Sequence, residues 1–410
     1  MRRVVVTGAG GVSALGNRWP VIRDGMRAGR NTVRVMPEWD RYADMNTRLA
    51  STIDHFTPPA HWTRKQLRSM GRVAQLAVSA AEDALKDADL SDHPIIRSGA
   101  TGVACGSSMG SAPDIVDFAH FYINNDSRGL NANSYVRLMP HTAAANVGIF
   151  IGAKGRILPT SSACTSGSQG IGYAYEAIKF GRQTIMVAGG AEELCAAEAM
   201  AFDTLYATSR RNDAPQATPR PYDRDRDGLV VGEGAGMLIL EDLEHAQRRG
   251  ARIHAELVGF ATNSDGAHVT RPEQETMRAV MQLALDDAGI GAAAIGYVNG
   301  HGTATAQGDI AETRATASVF GSRMPISSQK SFLGHTLGAC GALEAWFSVE
   351  MMNSGWFAPT LNLDNIDPEC GELDYITGAG RELQTEYVMS NNFAFGGVNT
   401  SLVFRRWSGR

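Results

Sequence analysis

The chain has 410 residues, of which 43% are hydrophobic and 20% charged. This is enough apolar sequence for a large core, and it excludes a disordered or fibrous protein. A net charge of −5 and the lack of a dense basic tract argue against a nucleic-acid binder. No apolar run reaches the roughly 18 residues that a membrane-spanning helix needs, and the N-terminus enters a strand pattern where a signal sequence would be apolar. We therefore expect a cytoplasmic protein that does not bind membranes.

Cysteine usage fits a reducing compartment. The five cysteines form an odd set without any C-x-x-C pair, so neither a disulfide framework nor a zinc site is predicted. They are Cys105, Cys164, Cys195, Cys340 and Cys370.

The first predicted element is a buried strand at 3–6 that runs into a glycine turn. Gly8 and Gly10 suggest a dinucleotide-binding loop, but Ser13 stands where that pattern needs its third glycine. The missing glycine favours a purely structural turn. We read the strand at 183–190 in the same way, as a buried strand that glycines end.

A long helical region is predicted over 63–90. Arg64, Lys65, Arg68 and Arg72 recur at spacings that place them on one helix face. Such a face is either simply solvated or a docking site for an acidic partner.

A strand at 103–106 follows, with a small-residue turn and then Met109. The segment 111–140 has no clear period and contains aromatic residues, which is typical of pocket walls or subunit contacts.

Cys164 occupies the most informative stretch. An apolar strand pattern at 157–158 breaks at Pro159, passes through small residues, and resumes as a helical pattern that ends at Gly181. Cys164 is therefore predicted at a helix start, where the helix dipole and free N–H groups stabilise a thiolate. A buried structural cysteine is the alternative for this position alone.

The chain also shows a weak internal repeat. Residues 84–90 precede the strand at 103, and the similar residues 284–290 precede a strand at 296–300. A new strand at 255–260 follows the helix near 242–249. The pattern predicts two similar α/β halves, 1–252 and 253–410, packed as one body.

Two histidines lie in matching contexts in the second half. His301 follows a strand in a glycine turn, and His335 precedes a small-residue helix. One such histidine would usually be structural, but two beside a candidate nucleophile indicate a site.

Together these stretches resemble the β-ketoacyl-acyl-carrier-protein synthases of type I/II, from Val4 to about Phe404. The resemblance also rests on 187–192, 226–236, 301–303, 330–335 and 392–397. It implies the thiolase-like fold, an α/β architecture of two pseudo-duplicated βαβ halves in a five-layer αβαβα arrangement, usually as a dimer. Thiolases and the Cys-His-Asn synthases fit less well, because His335 stands in a Lys-x-x-x-x-His context.

The implied activity is a decarboxylative Claisen condensation, an acyltransferase reaction of fatty acid or polyketide biosynthesis. An acyl group on Cys164 is joined to malonyl-acyl-carrier-protein. The substrates are carried on the phosphopantetheine arm of the carrier protein, and no metal or redox cofactor is expected. His301 and His335 would stabilise the enolate, the N–H groups of Cys164 and Phe395 the acyl oxyanion, and Lys330 with Glu344 would orient His335. The resemblance assigns Met109, Phe202, Thr303, Thr305 and Phe393 to the substrate pocket.

For the partner, the resemblance implies an acidic acyl carrier protein. Arg64, Lys65 and Arg68 are the docking candidates, with Arg210 and Arg211 as additions. A homodimer, or a heterodimer with a related ketosynthase-like subunit, is expected. The alternative function is a non-catalytic partner like the chain-length-factor subunits, which lack the nucleophile.

Two positions and one segment depart from the family pattern. The alanine usual before the first catalytic histidine is Gly300, and Thr303-Ala304-Thr305 replaces a Thr-Ser-Thr. The segment 111–140 matches least, so the acyl chain and the pathway stay open.

Overall fold

The computed structural model describes residues 1–54 and 56–409. Its main feature is an 11-stranded mixed sheet with the order β13-β11-β10-β15-β16-β9-β1-β8-β6-β4-β5. The strands are β1 (Val4–Ser13), β2 (Val33–Val35), β3 (Leu49–Ser51), β4 (Thr101–Gly106), β5 (Ile157–Thr160), β6 (Ile185–Glu192), β7 (Val231–Gly232), β8 (Gly234–Asp242), β9 (Ala255–Ser264), β10 (Ile295–Asn299), β11 (Pro325–Ser327), β12 (Trp356–Phe357), β13 (Asp374–Tyr375), β14 (Arg381–Glu382), β15 (Tyr387–Ala394) and β16 (Val398–Arg406).

The helices alternate with these strands along most of the chain. They are α1 (Trp19–Arg27), α2 (Arg64–Leu67), α3 (Arg72–Asp87), α4 (Ile115–Asn124), α5 (Ala132–Leu138), α6 (Thr142–Ile151), α7 (Ser166–Lys179), α8 (Ala196–Asp203), α9 (Leu243–Arg248), α10 (Gln274–Ala288), α11 (Ala306–Phe320), α12 (Lys330–Leu333) and α13 (Cys340–Ser354). Within the described residues, none of them is long and apolar enough to cross a bilayer.

Two central helices separate the halves of the sheet. α7 and α13 touch each other and contact strands of both halves, β6 and β8 on one side and β16 on the other. α3 and α6 cover the outer face of the first half, and α10 with α11 covers the second. The layers run helix, sheet, helix, sheet, helix, so the predicted α/β five-layer fold is confirmed.

The halves meet where β1 pairs with β9 over only Val4–Val6 and Ala255–Leu257. Each half then contributes one central helix, and each of these helices is preceded by a 3-10 turn, Ala163–Thr165 before α7 and Leu337–Ala339 before α13. This repetition is the internal duplication that the sequence showed only weakly. The division at 252/253 stays a prediction.

The glycine turns predicted after β1 and β6 were wrong, because both strands continue through their glycines. β1 extends to Ser13 and β6 to Glu192. A Cβ on Gly10 would lie 2.5 Å from the Ala80 carbonyl oxygen of α3, and one on Gly189 would lie 1.9 Å from the Gly236 oxygen. These glycines allow neighbouring backbone to approach, which the sequence alone does not distinguish from a turn.

The helix predicted over 63–90 is also interrupted, by residues 68–71 between α2 and α3. A Thr63–Gln66 capping box starts the short α2. Arg72 begins α3 and pairs with Glu233 at 2.8 Å, so it is not part of an exposed basic face.

Candidate functional site

Cys164 lies at the start of the first central helix, as predicted. β5 ends at Thr160, and the 3-10 turn Ala163–Thr165 leads directly into α7. Ala163 has a φ of 50°, a left-handed conformation that is unfavourable for a residue with a Cβ. Such strain is often found beside functional residues, and here it precedes the candidate nucleophile.

His301 and His335 converge on Cys164 from the second half. His301 follows β10, and His335 follows α12, where its N–H donates to the Val230 carbonyl at 2.7 Å. The two rings meet edge to face with centroids 5.1 Å apart. His335 Nε2 lies 3.0 Å from Cys164 Sγ. One ring nitrogen of His301, one ring nitrogen of His335 and the sulfur of Cys164 all lie within 4.8 Å of one another.

Burial keeps both imidazoles neutral. Desolvation lowers the pKa of His301 and of His335 well below the usual value of 6.5, and the positive charge of Lys330 lowers both further. Neutral imidazoles carry one N–H each and can donate a hydrogen bond without a charge.

The thiol of Cys164 differs from the prediction. Burial raises its pKa to about 11, although the Lys330 charge and the N–H groups of Phe395 and Cys164 oppose this shift. The stabilisation expected at the helix start is therefore outweighed by desolvation. The cysteine is a protonated thiol at neutral pH, and a group that takes the proton must be close.

A buried ion pair lies behind the histidines. Lys330 Nζ is 2.5 Å from Glu344 Oε1, and both side chains are almost fully buried. Hydrogen bonds connect this pair to His301: Glu344 Oε2 accepts from Asn392 Nδ2, which lies 3.3 Å from His301 Nδ1. The sequence had linked the pair to His335. Its hydrogen bonds run to His301, and only the charge of Lys330 acts on both rings.

Glu312 and Asp309 hold the loop that carries His301. The N–H groups of His301 and Gly302 donate to the two carboxylate oxygens of Glu312, and the Thr303 N–H donates to Asp309. Burial raises the pKa of Glu312 to about 8, against the backbone hydrogen bonds.

A cavity of about 490 Å³ opens onto Cys164 and both histidines. Among the residues predicted from the resemblance, its walls include Phe202, Thr303, Thr305, Phe393 and Phe395. The rings of Phe202 and Phe395 are 5.0 Å apart, which places an aromatic pair at the cavity wall. Met109 is half-buried and does not line this cavity, so its role as a pocket wall stays a prediction.

The three predicted docking residues are exposed. Arg64 and Lys65 lie on α2, and Arg68 follows it. None of the three side chains forms an ion pair with any residue in 1–54 or 56–409. Arg210 is exposed, whereas Arg211 pairs with Asp227 at 3.4 Å.

Asn392, Glu312 and Cys340 are site residues that sequence reasoning missed. Cys340 begins α13, and its Sγ lies 3.2 Å from the Cys164 carbonyl oxygen. In the sequence, Asn392 is only the first residue of the stretch 392–397 on which the resemblance rests. The repeated Asn391-Asn392 in a buried strand was the one available signal, because buried amides need partners.

Comparison with known proteins identifies the family. A model described as beta-ketoacyl synthase, N-terminal domain, matches residues 1–246, and one described as beta-ketoacyl synthase, C-terminal domain, matches 254–364. The chain is 37% identical over 414 residues to the 3-oxoacyl-[acyl-carrier-protein] synthase 2 of Vibrio cholerae, with 99% of each chain covered.

Solved structures agree with this. A beta-ketoacyl synthase from Burkholderia phymatum is 60% identical, with a TM-score of 0.99 and full coverage of both chains. The ishigamide ketosynthase/chain length factor is 31% identical, with a TM-score of 0.92 and coverage of 99% of this chain and 100% of that one. By sequence and by fold, the chain belongs to the beta-ketoacyl synthase family.

Proposed function

We propose that the chain is a 3-oxoacyl-[acyl-carrier-protein] synthase, an acyltransferase that joins an acyl group held on Cys164 to malonyl-acyl-carrier-protein with loss of CO2. The observation that carries this proposal is the cluster of the Cys164 thiol and two neutral imidazoles at the cavity floor. The name of the Vibrio relative supports the same reaction and the same carrier. We place it in fatty acid or polyketide biosynthesis.

The first step loads Cys164. As Sγ attacks the thioester carbonyl, the thiol proton passes to His335 Nε2, 3.0 Å away. The tetrahedral oxyanion is held by the N–H groups of Cys164 and Phe395. When the carbon–sulfur bond to pantetheine breaks, His335 returns the proton to the leaving thiolate.

The second step generates the carbon nucleophile. The bond between the malonyl carbon and its carboxylate breaks, CO2 leaves, and the electron pair forms an enolate on the thioester. His301 and His335 stabilise the enolate oxygen through N–H donors on neutral rings. The enolate carbon then attacks the acyl-Cys164 carbonyl, the carbon–sulfur bond to Cys164 breaks, and the cysteine leaves as a thiolate that takes up a proton from solvent.

His335 suits both steps because its tautomer is not fixed. Its Nδ1 has no hydrogen-bond partner in the described part of the chain. Nε2 can therefore accept the thiol proton in the first step and, after the ring has lost its Nδ1 proton to solvent and taken one up on Nε2, donate in the second.

This chemistry requires no metal or redox cofactor. The negative charge that a Lewis acid would stabilise is handled by two N–H donors, and no step changes an oxidation state. The pantetheine arm enters through the cavity, whose walls include Thr303 and Thr305.

A cytoplasmic location is proposed because all five cysteines are free.

The alternative is a non-catalytic subunit of a ketosynthase and chain-length-factor pair, as in the ishigamide complex. A chain kept only as a scaffold has no need for Cys164 and two histidines in one buried cluster. Mass spectrometry after incubation with an acyl-carrier-protein thioester separates the two. An acyl adduct on Cys164, absent in Cys164→Ala, is expected for the enzyme, and no adduct on the parent would support the scaffold.

A dimer is proposed through the edge of the large sheet. β5 is the last strand in the sheet order, and a free strand edge pairs readily with another chain. Ile157, the first residue of β5, is 38% exposed, and Ile149 in the neighbouring helix α6 is 75% exposed. A homodimer or a heterodimer with a related subunit would cover them. Sedimentation of the purified chain as a monomer at micromolar concentration would contradict a homodimer.

The two histidines are expected to separate the steps. His301→Ala should load Cys164 at nearly the parent rate, because His335 is the ring that lies 3.0 Å from Sγ to take its proton, but should release CO2 about 10²–10³-fold more slowly. His335→Ala should be slow both in loading Cys164 and in releasing CO2, because it lacks the ring that accepts the thiol proton as well as one enolate donor. Acylation by mass spectrometry and CO2 release are measured on the same preparations.

Cys164→Gln is the companion control. It cannot be acylated, yet it should still release CO2 because both histidines remain and its amide resembles an acylated cysteine. The assignment of the enolate donors is overturned if either histidine variant decarboxylates malonyl-carrier protein at the parent rate.

Docking of the acyl carrier protein is tested by reversing the charge of two of the exposed basic residues. Lys65→Glu with Arg68→Glu should raise the KM for carrier-bound acyl groups at least about 10-fold at low salt, since an acidic partner is steered by a basic surface. The KM for a small pantetheine thioester should not change. Arg323→Glu, an exposed charge reversal after α11, is the matched control. An equal rise with both substrates would point to a folding defect and remove these residues from the interface.

A further inference from the structure

Asn392 lies between the buried ion pair and His301. It belongs to β15 and is fully buried. Its Nδ2 is 2.7 Å from Glu344 Oε2 and 3.3 Å from His301 Nδ1. One amide group thus bridges a carboxylate and an imidazole.

The ion pair determines which way the amide faces. Glu344 Oε1 is bound to Lys330 Nζ, and its second oxygen faces Asn392. A carboxylate oxygen accepts hydrogen bonds only, so the Asn392 atom 2.7 Å away must be the NH2 group. The reverse orientation would place two acceptor oxygens against each other.

The amide then determines the tautomer of His301. The NH2 group has two N–H donors, so it can donate both to Glu344 Oε2 and to His301 Nδ1 at 3.3 Å, which is closer than its other contact, Cys340 Sγ at 3.8 Å. A neutral ring nitrogen that faces a donor carries its lone pair there. The single proton of the His301 ring is therefore on Nε2, the other ring nitrogen.

The surrounding backbone is shaped to hold this amide. A Cβ on Gly341 would lie 2.7 Å from Asn392 Oδ1, so α13 leaves space for the side chain only because residue 341 is glycine. Asn392 Oδ1 itself has no hydrogen-bond partner in the described residues. A buried amide oxygen without a partner is unfavourable, so the contacts of Nδ2 must outweigh it.

We propose that Asn392 is a positioning residue that fixes His301 as the Nε2–H tautomer, anchored by the Lys330–Glu344 pair. The inference rests on the proposed function, in which His301 donates from Nε2 to the enolate oxygen. The two histidines then differ in whether their tautomer is fixed. His301 is held as a permanent donor, and His335 changes tautomer between the steps.

The test compares Asn392→Ala with Asn391→Ala. Asn391 is the neighbouring residue in the same strand and equally buried, but its amide oxygen accepts from the Ser401 hydroxyl, whereas the amide of Asn392 contacts Glu344 and His301. Asn392→Ala should release CO2 about 10–100-fold more slowly, as when an orienting partner of a histidine is removed. Its loading of Cys164 and the KM for malonyl-carrier protein should stay near the parent values. Asn391→Ala should keep both rates.

A spectroscopic readout does not depend on activity. With 15N-labelled histidine, the His301 signals are assigned by their loss in His301→Ala. The parent should show a protonated Nε2 and an unprotonated Nδ1, and Asn392→Ala should show a mixture of tautomers. Asn392→Ala with parent CO2 release, or a parent His301 protonated on Nδ1, overturns the inference. A parent that shows the expected tautomer but neither loads an acyl group nor releases CO2 overturns the proposed function instead.

Discussion

The buried pair of Lys330 and Glu344 is the interaction on which the site depends. Removing two charges from water is unfavourable unless each is paired and its remaining hydrogen-bonding capacity is used. Glu344 meets that condition with one oxygen on Lys330 and the other on Asn392. The positive charge left near the histidines disfavours their protonation, and the amide held by Glu344 orients one of them. A single buried pair thus reinforces the neutral state that burial gives to both imidazoles, and it orients one of them.

The fold brings these groups together through its duplication. Two central helices start at the same level, each after a 3-10 turn and each with a left-handed residue, Ala163 or Leu337, at the beginning of that turn. The first turn carries the nucleophile. The second follows His335 directly and leads into the helix that carries Glu344. The two halves therefore supply different chemistry from equivalent positions, and the site exists only where they meet.

The sequence predicted most of the site features that depend on residues close together in the chain. Cys164 and His335 each precede a small-residue helix and His301 follows a strand, and such signals depend on neighbouring residues alone. The position of Asn392 could not be predicted in this way, because its partners are 48 and 91 residues distant. The pKa of the Cys164 thiol could not be predicted for a related reason, since helix starts are visible in a sequence and the degree of burial is not. Glycines inside β1 and β6 were taken for turns because close backbone packing gives the same local pattern.

The central claim is that both imidazoles act as neutral donors because burial lowers their pKa values. It is tested most directly by CO2 release from malonyl-carrier protein by Cys164→Gln, measured between pH 5.5 and 8.5, a range of about one unit or more on each side of the ordinary histidine pKa. A lowered pKa leaves the neutral form populated as the pH falls through 6.5, so the rate should be flat across that value. A rate that falls with an apparent pKa near 6.5 would show ordinary histidines and contradict this account.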